Sequence, residues 1–111
     1  MMRINIYNTI QSKNALLHDD GVSIFKQVEE LYQSQKQPIE IDFTDVNRLS
    51  TLFLNASFGK LLAKYGSDIT SKYFIPTSYS HISSFLDKYN DMWDNVENKD
   101  NYQAYRELDF V

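Results

Sequence analysis

A chain of 111 residues with 42% hydrophobic and 14% aromatic residues, three glycines and two prolines has the composition of one folded domain and is too short for two separate cores. It holds no cysteine, which excludes disulfides, thiolate nucleophiles and cysteine-based zinc sites and fits a reducing cytoplasm. A formal charge of −4, from 15 acids against 11 bases, argues against a broad phosphate-binding face for nucleic acid.

In chain order, the start shows no apolar h-region of a leader, and "RINIY" at residues 3–7 alternates apolar and polar residues as a strand does. A short second strand falls around residues 14–17. In "VSIFKQVEELYQSQ", Ile24, Phe25, Val28, Leu31 and Tyr32 recur at helical spacing, which predicts a helix over about 20–35 capped by the Asp19–Asp20 pair. Pro38 breaks it, and "IEIDF" at 39–43 puts Ile39, Ile41 and Phe43 on one side of the clearest strand in the chain. "TDVNRLS" reads as a polar connection. A second amphipathic helix follows, with Ser50 as N-cap, Leu54, Phe58, Leu61, Leu62 and Tyr65 as its stripe, and Gly66 as its end. Gly59 inside this helix costs about 1 kcal/mol against Ala, which points to close approach of a neighbouring strand.

"KYFIP" reads as a strand ended by Pro76, and residues 77–93 as a helix with Ile82, Phe85, Leu86, Tyr89 and Trp93 on one face. Residues 87–111 hold seven acids and three bases, leaving the first 86 residues neutral; the segment 91–111, interleaved with Trp93, Tyr102, Tyr105 and Phe110, reads as an acidic aromatic helical extension. No window approaches the roughly 18 apolar residues of a membrane span. Strands joined through helices pair in parallel, so the expected architecture is a single α/β domain over 1–111, with a sheet of three to four mostly parallel strands and helices packed on it.

No GxGxxG, Walker or GxSxG pattern is present. His18 and His81 are the only histidines and show no metal-ligand spacing. His18 with Asp19 and Asp20 reads as an exposed turn before a helix, and His81 as a polar-face or boundary residue. Asp42 and Asp45 stand at the end of the best strand, where ligands gather in open α/β sheets, although Asp there also bonds nearby backbone amides as turn chemistry. Ser50 and Thr51 sit at a helix start, where a hydroxyl caps free amides, or where a phosphate would be held by the same amides.

The run "IEIDFTDVNRLSTLFLNASFGKLL", with "DGVSIFKQVEELYQSQ" ahead of it, resembles the STAS-like domain family of unknown function. The matching positions are Gly21, Asp42, Phe43, Val46, Ser50, Thr51, Phe53, Leu54, Asn55, Gly59 and Leu61, across roughly residues 20–66. A more distant likeness is to the STAS domains of anti-sigma factor antagonists. That likeness implies a docking and switching site for a partner kinase of the GHKL ATPase type, with Thr51 at the phosphoacceptor position, Ser50 in place of the preceding acidic residue, and Asp42 as the strand-end Asp. Leu52 and Phe53 replace the small Ser-Gly pair of the antagonists.

The leading expectation is therefore a cytoplasmic, non-enzymatic interaction module without metal or cofactor. It presents Asp42, Asp45, Asn47, Ser50, Thr51 and Asn55 to a protein partner. Competing with it are a small ligand-binding or hydrolase domain using Asp42 and Asp45, and a structural subunit that forms homo-oligomers through its aromatic tail.

Overall fold

In the computed structural model, which describes residues 2–98, the strand predicted most clearly becomes the centre of the sheet. Strands β1 (Met2–Asn5), β3 (Ile39–Asp42) and β5 (Phe74–Thr77) pair in parallel in the order β1-β3-β5. Ile4 lies opposite Ile41, and Asp42 stands between Asn5 on one side and Thr77 on the other. A second, two-stranded parallel pairing joins β2 (Asn14–Ala15) to β4 (Arg48–Leu49). The α/β class and the parallel sheet of three strands agree with the sequence.

The first strand is shorter than its alternation suggested. Asn5 ends the strand, and its side-chain oxygen accepts from the Asn8 amide at 2.8 Å, capping a short helix α1 (Ile6–Ile10). Ile4 and Ile6 are both buried, so the period-2 pattern recorded the burial of both correctly and the backbone state of Ile6 wrongly. Helix α2 (His18–Gln35) begins two residues earlier than predicted. Its N-cap is Leu17, with no side-chain bond, so Asp19 and Asp20 lie in the first turn as charges facing the positive helix end instead of capping it. The connection "TDVNRLS" is not simply polar. Val46 and Leu49 are buried, and the Asn47 amide donates to the Lys13 carbonyl at 2.8 Å beside β4.

The segment after Ser50 runs as α3 (Thr51–Leu54), a π-helical turn (Asn55–Gly59) and α4 (Lys60–Tyr73). Its packing against α2 is set by Gly21: a Cβ there would lie 2.6 Å from the Phe53 carbonyl oxygen and 2.7 Å from the Ala56 Cβ. The buried Ser57 hydroxyl donates to that same Phe53 carbonyl at 2.8 Å within the turn. Gly59, expected to face a strand, faces α5 instead: a Cβ there would meet Met92 and Val96 at ordinary contact distances of 3.6 Å. Gly66 does not end the helix. Its φ of 86° and ψ of 168° kink it, in a region open essentially to glycine alone, and helical geometry resumes to Tyr73.

β5 runs through Pro76 to Thr77 instead of stopping at the proline, which an edge strand tolerates. The last helix, α5 (Phe85–Glu97), starts eight residues later than predicted, after a loop in which Ser78 takes φ 56°. Phe85 and Met92 are buried along this helix, whereas Leu86, expected on the apolar face, is 55% exposed. Phe85 meets Phe43 edge-on at 4.9 Å and stacks on Tyr79 at 4.1 Å, fastening α5 and its loop to the end of β3. Of the acidic extension, residues 91–97 belong to α5, and residues 99–111 lie outside the described residues.

Gly21→Ala should destabilise the fold by about 2 kcal/mol, because backbone on both sides must move. Gly59→Ala should instead be neutral or gain up to about 1 kcal/mol of helix propensity. Urea unfolding of the two variants followed by circular dichroism checks the contrast, and equal losses would contradict the assigned contacts.

Candidate functional site

The hinge between β3 and α3 separates side chains that are committed to the fold from side chains that are free. Asp42 is 6% exposed. Its Oδ1 accepts from the Thr44 amide at 3.0 Å and the Thr44 hydroxyl at 2.7 Å, and its Oδ2 accepts from the Asn5 side-chain amide at 3.1 Å. Burial pulls its pKa up, but hydrogen bonds from Thr44, Asn5 and Ser78 outweigh it and hold the carboxyl below the usual Asp range. Asp42 thus ties β1, the cap of α1 and the turn after β3 into one knot. This is turn chemistry, with the carboxylate oxygens already occupied.

Ser50 is equally committed. Its hydroxyl donates to the Leu16 carbonyl at 2.8 Å and accepts from the Phe53 amide at 3.0 Å, while its own amide donates to the Ala15 carbonyl at 3.0 Å. One hydroxyl caps α3 and joins that helix start to the chain entering α2. Thr51, the next residue, is half-buried, and its hydroxyl makes no hydrogen bond among the described residues. Phe53 is fully buried and Leu52 is 53% exposed, so of the two large residues after Thr51 only Leu52 stands at the surface. Leu17, the N-cap of α2, is 62% exposed. Because Ser50 binds Leu16, the two exposed leucines belong to helix starts that the same hydroxyl joins.

Beside Thr51 opens a cleft of about 560 Å³. Its walls come from Leu16, from Asn47 to Thr51, from His81 to Ser84, and from Lys88. The Lys88 ammonium donates to the Leu49 carbonyl at 2.6 Å, and His81 Nε2 lies 2.7 Å from the Val46 carbonyl oxygen, which assigns the proton to Nε2. Asp45, at φ 67°, instead lines a neighbouring depression of about 430 Å³ with Thr44, Asn47, Ser78, Ser80 and His81. Asn55 lies one turn beyond Thr51 and borders a third depression near Gly59 and Val96.

The sequence-predicted residues are thus not one cluster. Asn47, Ser50 and Thr51 share the cleft, Asp45 touches its neighbour, Asn55 lies apart and Asp42 is held beneath. Asp42 and Asp45 do not converge on one cavity, and Asp42 is shifted toward the ionised form, away from the raised pKa of a poised acid. Ser83, Ser84 and Lys88 escaped the sequence reading, and His81 was read only as a polar-face or boundary residue, because their relation to the hinge depends on packing across more than 30 residues of chain. No group of three or more His, Asp or Glu side chains at metal-binding distance occurs among the described residues, and no helix there is long and apolar enough to cross a membrane.

A parallel β1-β3-β5 sheet whose central strand ends in a locked Asp, followed by a hydroxyl-capped helix start, defines a small α/β domain. The sequence model of the family described as "STAS-like domain of unknown function (DUF4325)" matches residues 20–83, more than half of the chain, and the protein belongs to that family. Searches of curated proteins and of solved structures gave no match.

Asp42→Ala should cost about 2 to 3 kcal/mol, since it removes charge-assisted bonds and strands the Asn5 amide. The folded carboxyl binds its proton more weakly than the unfolded one, whose pKa is about 3.9. The unfolded chain therefore takes up more protons in acid: the stabilisation is complete above that value and is lost as pH falls through the lower, folded pKa. Urea midpoints of wild type and Asp42→Ala should converge on acidification below about pH 4. Ser50→Ala should cost about 1 to 2 kcal/mol through the lost cap and the lost bond to Leu16, whereas Thr51→Ala should change stability by less than about 0.5 kcal/mol, a difference that thermal melts resolve.

Proposed function

We propose that this protein is a non-enzymatic regulatory module that docks a protein partner on the face formed by the Asn47–Thr51 corner and the joined starts of α2 and α3. The observation that carries this reading is the division of the hydroxyl pair: Ser50 is bound on both sides and structural, while Thr51 beside it stands at an open cleft with its hydroxyl uncommitted among the described residues. Leu17 and Leu52, both more than half exposed, supply apolar surface that a docked partner would cover. The cleft adds Arg48, His81 and Lys88, which suits a partner with an acidic contact surface.

Phosphorylation of Thr51 is the regulatory step in this proposal. It would add nearly two negative charges to the docking face, replacing attraction to an acidic partner with repulsion. The partner class follows the likeness to anti-sigma factor antagonists: an ATPase of the GHKL type that acts both as binder and as kinase for Thr51.

Affinity capture from the native cell with wild-type, Thr51→Ala, Thr51→Asp and Leu52→Glu baits tests the reading, with partners and phosphosites identified by mass spectrometry. The expected result is one partner retained by wild type and Thr51→Ala and reduced at least about tenfold by Thr51→Asp and by Leu52→Glu, about 1.4 kcal/mol each. The same partner on all four baits would refute the docking face. Sensitivity to Leu52→Glu without effect of Thr51→Asp, and without phosphate on the chain, would leave a constitutive adaptor and remove the switch.

A further inference from the structure

The cleft beside Thr51 differs in charge from the rest of the molecule. The chain carries 15 acids and 11 bases, yet no carboxylate lines this cleft among the described residues, and its ionisable walls are Arg48, His81 and Lys88. Three separate parts of the chain deliver them: β4, the loop before α5, and α5 itself. Neither Arg48 nor Lys88 forms an ion pair among the described residues, where the pairs are Arg3–Glu40, His18–Asp19 and Lys64–Glu29. The fold therefore places cationic groups around a cavity without supplying their counter-charge.

Two of these groups are held in place. Lys88 spends one N–H on the Leu49 carbonyl at 2.6 Å, which fixes the ammonium at the cleft and leaves two donors. His81 is oriented by the Val46 carbonyl, 2.7 Å from its Nε2, which fixes the ring at the cleft wall. The hydroxyls of Thr51, Ser83 and Ser84 add donors that turn to suit an acceptor. Donors arriving from several directions match the three oxygens of a phosphate monoester, and Arg recognises such a group with two parallel bonds.

We infer that this cleft is a receptor for a phosphate monoester carried on a side chain of the docked partner. The inference rests on the docking reading for the source of the phosphate and deepens it by naming the group recognised. The side-chain source is favoured because the cleft opens on the same corner, Asn47 to Thr51, as the docking face. A negative charge at Thr51 occupies the same space, so modification of Thr51 and binding of the partner's phosphate exclude one another.

The test is titration of the full, isotopically labelled chain, read by amide NMR shifts, with three probes: the pentapeptide Ala-Gly-phosphoserine-Gly-Ala, its unphosphorylated form, and adenosine 5′-monophosphate. Saturable shifts at residues 48–51 and 81–88 are expected with the phosphopeptide alone. Affinity should fall at least about fivefold in each of Arg48→Gln, Lys88→Met and Thr51→Asp, and again when salt rises from about 50 to about 500 mM. Arg48→Gln removes no bond inside the fold, so it decides the matter if Lys88→Met fails to fold. No shift up to about 20 mM peptide, equal shifts with the unphosphorylated peptide, or binding indifferent to Arg48→Gln would overturn the site, and tighter binding of the nucleotide would overturn the side-chain source. Partner capture sensitive to Leu52→Glu with no phosphopeptide binding sinks this inference alone; phosphopeptide binding with capture indifferent to Leu52→Glu sinks the docking reading instead.

Discussion

The structure turns on the contact between α2 and the segment that follows Ser50. At Gly21 the two backbones approach so closely that even a methyl group would overlap the Phe53 carbonyl. That proximity lets the Ser50 hydroxyl reach Leu16 across the gap while still capping α3. Without it the hydroxyl could serve one helix start or the other, not both. The π-helical turn belongs to the same contact: Ala56 lies against Gly21, and the Ser57 hydroxyl occupies the Phe53 carbonyl from within the turn. Such a turn inserts an extra residue into the helical ladder, and here it lies where the neighbouring helix presses hardest.

Rigidity at this corner is what gives its exposed groups a defined arrangement. Asp42 and Ser50 are residue types often met at reactive sites, yet both spend their hydrogen-bonding capacity on the fold. Asp42 holds the exit of β3, Ser50 holds the entry of α3, and the residues between them, Asp45 and Asn47, are displayed on a loop fixed at both ends. Thr51 inherits its place from Ser50. A recognition surface built on loops is made precise by supporting bonds of this kind, which lower the ordering cost of binding.

The parts of this fold that were legible in the sequence are those whose signal is local. β3 and α2 repeat their apolar residues at strand and helix spacing, and Ser50 sits directly before an apolar stripe, so strand, helix and cap were readable from short windows. The elements that differed are those in which a distant partner decides. Ile6 alternates with Ile4, but the Asn5 cap turns the chain into a helix. β4 is two residues long and exists because β2 lies beside it. Leu86 fits a helical stripe drawn from Ile82, yet the helix begins only at Phe85, and the stripe therefore runs through Met92. The cleft was the least legible feature, because Lys88 lies in a stretch whose composition is acidic and meets Leu49 only through the packing of α5.

The position of Lys88 also bears on what the molecule excludes. On α5 it is the single base among Asp87, Asp91, Asp94 and Glu97, and those four acids are exposed while Lys88 is half-buried at the cleft. Asp87 precedes Lys88 and Asp91 lies one turn on, whereas Asp94 and Glu97 lie further along the helix, beyond the roughly 8 Å over which fields between exposed charges fade at physiological ionic strength. In the proposed reading, a polyanion such as nucleic acid, presenting charge over a long surface, would meet those acids together with the cleft. In the same reading a single anionic group would be met first by Arg48 and Lys88, the cationic walls of the cleft. The net charge of −4 and the cationic cleft are therefore not in conflict: in the reading proposed above, the first would disfavour polyanionic partners while the second would accept one anionic group, and selectivity would draw on both.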